Sequence, residues 1–196
     1  ILFRLVGSEM CIRDSRRSFG QWLLLSLWPP RHPSRRRLER QLGLEVEAQI
    51  RQFRRLCGNG PIHLDGHQHI HLVPVVLDAV LKRATTQQIT WLRRTDEPLP
   101  TGLPISDWWR AIRDAGLLKW VVLQWLSRRA HPAMRRHGIV SNQSFAGVLF
   151  TGHMAGAPLR AAWSTLRSTS NDGSGTPPLL LAHPAAPLDT CLLYTS

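Results

Sequence analysis

The chain has 196 residues, enough for one hydrophobic core or for part of a larger domain. Its formal charge is +12, which permits attraction to nucleic acid, anionic lipid or acidic glycans. Its arginines are scattered among tryptophans and leucines without a long basic run. That pattern favours solvated helix faces over a nucleic-acid track, and no stretch is long and apolar enough to span a membrane.

The two ends carry a shared signal. Met10 to Ser15 can be encoded by a DNA element whose reverse complement, read one base along, encodes Cys191 to Ser196. It resembles the mosaic-end adaptor of transposon-based sequencing libraries. Residues 1–15 and 191–196 are therefore read as adaptor-derived scars and 16–190 as a partial domain. Cys57 is then the one remaining cysteine, which excludes a disulfide framework or a cysteine zinc cluster and fits a reducing, cytoplasmic setting. Arg16-Arg17-Ser18-Phe19 before the apolar run Trp22 to Trp28 mimics a twin-arginine signal. The run is short, ends in Pro29-Pro30 and lacks a small-residue cleavage site, so the signal reading is set aside.

Residues 16–33 read as a short helix or loop. Ser34 is a candidate cap for a helix from Arg35 to Cys57, with Leu38, Leu42, Val46, Ile50, Phe53 and Cys57 forming one apolar stripe. Gly58 ends it, and Asn59-Gly60-Pro61 makes a turn. Next comes Ile62-His63-Leu64-Asp65-Gly66-His67-Gln68-His69-Ile70-His71-Leu72. Its odd positions hold one aspartate and four histidines. An extended segment aims alternate side chains to one side, and imidazole with carboxylate suits Zn²⁺ and similar divalent ions. A lone histidine is more often core, but four imidazoles in nine residues each need hydrogen-bond partners if buried. Strand is predicted through Leu64 and Asp65, with the histidines after Gly66 at its C-terminal end or in the following loop.

Pro74 starts a helix burying Leu77, Val80, Leu81 and Ala84, and Ile89 to Arg93 is a second strand. The alternation of helix and strand predicts a parallel α/β architecture with ligands at the C-terminal strand ends. After a proline-rich loop at 98–104, Ser106 caps a predicted helix from Asp107 to about Arg129. Trp109, Ile112, Leu117, Trp120 and Leu123 give it apolar bulk, for the core or for a sugar or membrane surface. His131-Pro132 is expected to break it. A short strand and glycine-containing loop are expected between Ile139 and Met154, a helix at 155–168, a polar linker to Pro178, and a buried strand at Leu179–Ala182 followed by His183-Pro184.

Four pieces, in order, resemble the YdjC-like carbohydrate deacetylases (the ChbG/HpnK family): Glu45 to Ile50 with Phe53, His63 to His71, Trp91-Leu92-Arg93 with Glu97, and Leu181 to Ala185. The second is similar to the family's Asp-Ser/Gly-His-x-His-x-His motif. The resemblance spans about residues 40 to 187. It implies a metal-dependent hydrolase on a (β/α)-barrel-like fold, removing the acetyl group of an N-acetylated sugar with a divalent ion such as Mg²⁺ or Zn²⁺. Chitooligosaccharides and lipid-linked (hopanoid) glucosamine lie within the family's range. Carried over by position, His67 is the metal ligand, Asp65 and His71 line the catalytic site, His183 is the proton donor and Arg93 contacts substrate. In such a site the ion activates water, a carboxylate takes its proton and an imidazole protonates the leaving amine.

The family's opening Asp-Asp-Phe-Gly strand and its Gly-x-His segment are absent, His32 stands in an unmatched context, and Leu179 replaces a usual glutamate. The resemblance implies that the opening strand supplies a metal ligand and the base, so one of three metal ligands remains and the base is lacking, and the fragment is expected to bind metal weakly and to be inactive alone. Two alternatives fit parts of the chain. Leu64-Asp65-Gly66-His67-Gln68-His69 also satisfies the first-strand pattern of amidohydrolase barrels, but the later ligands lack supporting context. A non-catalytic basic module would predict salt-sensitive binding that survives His67→Ala.

Overall fold

A computed structural model describes residues 18–114, 116–169 and 176–181. The adaptor-like ends and His183 lie outside them.

Ser18 opens the first element. Its side chain accepts from the Gln21 amide and Gln21 returns a bond to the Ser18 amide, a reciprocal cap that starts α1 (Phe19–Leu25). The chain turns at the two prolines, and α2 (Pro33–Cys57) begins one residue before the expected Ser34 cap. His32 is the cap instead, its ring accepting from the Ser34 amide at 3.2 Å. Pro33 fits the first helical position because its missing N–H would have no intrahelical partner there. Gly58, at φ +83°, stops the helix.

β1 (Ile62–Leu64) pairs in parallel with β2 (Ile89–Leu92), and a 3₁₀ segment (His67–Leu72) and α3 (Pro74–Leu81) lie between them. Trp91 makes a further parallel bridge to Val140. The α/β class predicted from element order is therefore present. The described strands form two two-stranded parallel sheets.

The predicted stripe of α2 is only half right. Ile50 is buried, Leu38, Leu42, Val46 and Phe53 are half-buried, and Cys57 is exposed. Arg35, Glu39 and Gly43 are the other buried positions, because α3 meets α2 through charge. Arg35 donates to Glu39 at 3.1 Å and to Asp78 at 2.7 Å, and Lys82 also pairs with Glu39. The Arg83 guanidinium crosses α2 at Gly43, where a Cβ would overlap it, and reaches Glu47 at 2.7 Å. Apolar packing comes from Val73, Val75, Ala79, Val80, Leu92, Leu126 and Met134, all buried.

The predicted helix at 107–129 is two helices, α4 (Ile105–Arg113) and α5 (Gly116–Arg136). Gly116 opens α5 where a Cβ would overlap the Leu149 carbonyl. His131-Pro132 does not end α5; Pro132 lies inside it. The bond it removes is to the carbonyl of Arg128, an exposed residue near the helix end, so water can replace it. Trp109 and Ile112, expected as bulk for a core or a docking surface, are exposed. No described helix is long and apolar enough to cross a membrane.

The chain divides into two units. One comprises residues up to Asp96 with Val121–Asn142, the other Glu97–Trp120 with the residues from Gln143 onward. The second unit holds α4, the first turn of α5, β3 (Phe145–Ala146), α6 (Gly156–Thr169) and β4 (Leu179–Leu180), with β3 parallel to β4. Its hub is Glu97. This buried carboxylate accepts from the amides of Gly147, Val148 and Leu149 at 2.9, 3.0 and 3.1 Å. β4 is shorter than predicted and half-buried rather than buried.

Candidate functional site

Because β1 and β2 are parallel, their C-terminal ends lie on one edge of the sheet, where α/β folds place ligands. Asp65 follows β1 and Arg93 follows β2. Asp65 Oδ1 lies 2.9 Å from Arg93 Nη2, an ion pair whose angles are not those of a hydrogen bond. Arg93 also contacts His69 Nδ1 at 3.2 Å. Burial raises the Asp65 pKa, and the Arg93 charge and the Gly66 amide oppose it. Burial lowers the Arg93 pKa, opposed by Asp65.

His71 sits beneath this pair with no exposed surface. Its Nδ1 accepts from the Gly66 amide at 2.9 Å, so its Nε2 carries the proton and donates to the Arg93 carbonyl at 2.9 Å. Burial holds its pKa at about 4, so the ring is neutral at pH 7. Gly66 permits this approach, since a Cβ there would lie 2.8 Å from His71 Nδ1. Asn142 then fixes the chain after β2, accepting from the Arg94 amide at 2.8 Å and donating to the Arg94 carbonyl at 3.1 Å. Thr95 is held likewise, its amide donating to Ser127 Oγ at 3.1 Å.

The alternation expected of an extended segment stops at Leu64. Gln68 and His69 take left-handed angles (φ 50° and 61°) inside the 3₁₀ segment, and a period of two cannot persist through such a turn. The five odd-numbered residues consequently do not share one face. His63 is exposed and tilts against the Trp91 ring at 5.8 Å. His67 is exposed, His69 is half-buried on Arg93, and His71 is buried. Of the residues singled out from sequence, the fold brings together Asp65, His71 and Arg93. His67 stands at the start of the 3₁₀ segment, apart from them in exposure.

Among the described residues, no group of three or more His, Cys, Asp or Glu side chains is placed to hold a metal ion. Both His71 nitrogens are spent and Asp65 is paired with Arg93, so these donors do not form a cage by themselves. His69 belongs to the five-residue cluster read from sequence without a role of its own, and Gly66 and Asn142 carry none. For His69 and Gly66 the signal was their place inside the motif. For Asn142, 48 residues from its partner, sequence offers none.

Comparison with known proteins adds a second line. The family described as YdjC-like protein matches residues 15–194. The chain is 31% identical to a carbohydrate deacetylase of Homo sapiens over 148 residues, covering 75% of this chain and 44% of that protein. A carbohydrate deacetylase of Mus musculus is 30% identical over 148 residues, covering 75% and 46%. One of Danio rerio is 39% identical over 54 residues, covering 28% and 17%. The chain thus spans less than half the length of the curated relatives it matches. No solved structure matches it.

Proposed function

Because the chain belongs to the YdjC-like family, we propose that it is part of a carbohydrate deacetylase, a hydrolase that removes the acetyl group from an N-acetylated sugar. The observation that carries this reading is the family match itself, which spans the Asp65–Arg93 cluster at the sheet edge. The reading extends to a barrel-like fold in the whole enzyme, of which β1 and β2 are neighbouring strands, and to an oligosaccharide or lipid-linked sugar as substrate.

In this reading water adds to the amide carbonyl, the C–N bond breaks, acetate leaves and the amine takes a proton. The proton of water goes to a carboxylate of the whole enzyme that this chain lacks, and Asp65 lines the site beside it. Arg93 orients Asp65 and offers N–H to a substrate oxygen. His71, neutral and bonded on both sides, is a positioning residue that locks the strand ends together. His183 is the proposed donor to the leaving amine. We also propose that the complete enzyme uses a divalent ion, Mg²⁺ or Zn²⁺, with His67 as ligand. The described residues do not fit the ion alone, so this part of the reading requires further donors and no step is routed through it. The fragment by itself is then inactive. Family membership leaves the amidohydrolase alternative and the purely non-catalytic module without support.

The test is acetate release from N-acetylated chitooligosaccharides by the full-length enzyme carrying this segment. His67→Ala is expected to lower its metal content, and Asp65→Asn to lower turnover while metal content stays. No acetate from any N-acetylated sugar would overturn the deacetylase reading. Unchanged metal content in His67→Ala would overturn the ligand assignment. An enzyme-like rate from the 196-residue chain alone would overturn its inactivity.

A further inference from the structure

The corner between α1 and α2 carries apolar side chains that the fold pushes outward. Ser26 is tied down on several sides. Its carbonyl accepts from the buried Arg35 guanidinium at 2.8 Å, its hydroxyl donates to the Trp22 carbonyl at 3.0 Å, and its Oγ accepts from the Val75 amide at 3.3 Å. With Ser26 pinned, the next residues form a protruding apex. Leu24, Leu27 and Trp28 are 64%, 74% and 39% exposed. The apex is stiff. Pro29 and Pro30 restrict it, the His32 amide donates to the Pro29 carbonyl at 2.9 Å, and the Trp28 and His32 rings lie 5.3 Å apart.

Exposed arginines follow this apex along the chain. Arg36 and Arg40 follow His32 at four-residue steps, so they continue along α2 the stripe that begins under Trp28. Arg31, Arg36, Arg37 and Arg40 are all exposed, and among the described residues no carboxylate lies within ion-pair distance of them. α2 has no acidic residue in its first turn to offset them. A stiff apolar tip followed by exposed arginines that make no ion pair among the described residues matches the depth profile of an anionic bilayer, with acyl chains below and phosphates above.

We propose that this corner is a docking surface for anionic phospholipid. Leu27 and Trp28 enter the headgroup–acyl boundary, and Arg31, Arg36, Arg37 and Arg40 meet lipid phosphates. The inference is independent of the deacetylase reading, since it uses no residue of the site.

The full 196-residue chain should be co-sedimented with vesicles of phosphatidylcholine alone and of phosphatidylcholine mixed with phosphatidylglycerol. Binding to the mixed vesicles only is expected. Arg36→Glu/Arg37→Glu/Arg40→Glu should weaken it roughly a hundredfold, at about fivefold for each arginine withdrawn from the lipid phosphates. Leu27→Glu/Trp28→Glu should weaken it by about tenfold or more. Leu56→Glu, also exposed but at the far end of α2, should leave it unchanged. Circular dichroism checks that each variant stays folded. No binding to mixed vesicles overturns the proposal. So does binding that survives Leu27→Glu/Trp28→Glu, which would be charge attraction alone. Equal arginine-dependent binding to duplex DNA, or a dimer that dissociates in the apex variant without any vesicle binding, also overturns it.

Discussion

His71 makes folding sensitive to acid. Unfolded, its imidazole takes a proton near pH 6.5; folded, only at about 4. The group is held neutral by burial, so its contribution to stability is complete above the unfolded value and is lost as pH falls towards the folded one. Between about pH 8 and about pH 4.5, the linkage amounts to about 2.5 kcal/mol. Asp65 and Glu97 act in the opposite sense, because burial raises their pKa values and protonation then favours the folded chain. The measurement must therefore isolate His71. Urea unfolding of the parent and of His71→Gln, monitored at both pH values, does so. The variant loses about 1–3 kcal/mol near neutrality from its broken hydrogen bonds, but its stability should fall less on acidification, by about 2.5 kcal/mol. A parent and variant with the same pH dependence would show that His71 is not held neutral, and the bond pattern assigned to Gly66 and Arg93 would be wrong.

Three other outcomes follow from the packing. Glu97→Gln replaces one of two acceptor oxygens by an amide NH2, a donor, facing the Gly147, Val148 and Leu149 amides. Hydrogen exchange at those amides should quicken and stability fall by about 2–4 kcal/mol; unchanged exchange would refute the cradle. Gly116→Ala and Gly43→Ala both gain helix propensity, yet they should separate. At Gly116 the obstacle is the Leu149 backbone carbonyl, whereas at Gly43 it is the movable end of Arg83. Thermal unfolding should show a loss of about 2 kcal/mol for the first and a change within about 1 kcal/mol for the second. Arg35→Ala strands part of the Glu39 and Asp78 charge and the Ser26 carbonyl, for which denaturant unfolding should read about 3 kcal/mol. A loss below about 1 kcal/mol would mean that solvent already screens the network.

The legible parts of this chain were those whose signal is local. Pro74 and the apolar spacing after it gave α3, the alternation at 62–64 and the Ile-Thr-Trp-Leu run at 89–92 gave the parallel pair, and Gly58 gave the stop of α2. The histidine motif from Asp65 onward and Arg93 follow β1 and β2 at the sheet edge, as the element order predicted. The motif's period of two was misleading past Leu64, because left-handed angles at Gln68 and His69 depend on what the turn packs against. The extent of α5 through Pro132 and the exposure of Trp109 were likewise hidden, since propensity does not say which bonds water can replace.

Sequence alone determined the α/β alternation, the family resemblance and the identity of the polar groups near the sheet edge, because periodicity and residue chemistry are properties of short stretches. Only the tertiary structure decided that Asp65 pairs with Arg93, that His71 is neutral and spent on two backbone groups, and that Glu97 gathers three amides. Those outcomes depend on burial and on partners 5 to 52 residues away, and desolvation acts only once such partners have closed around the group.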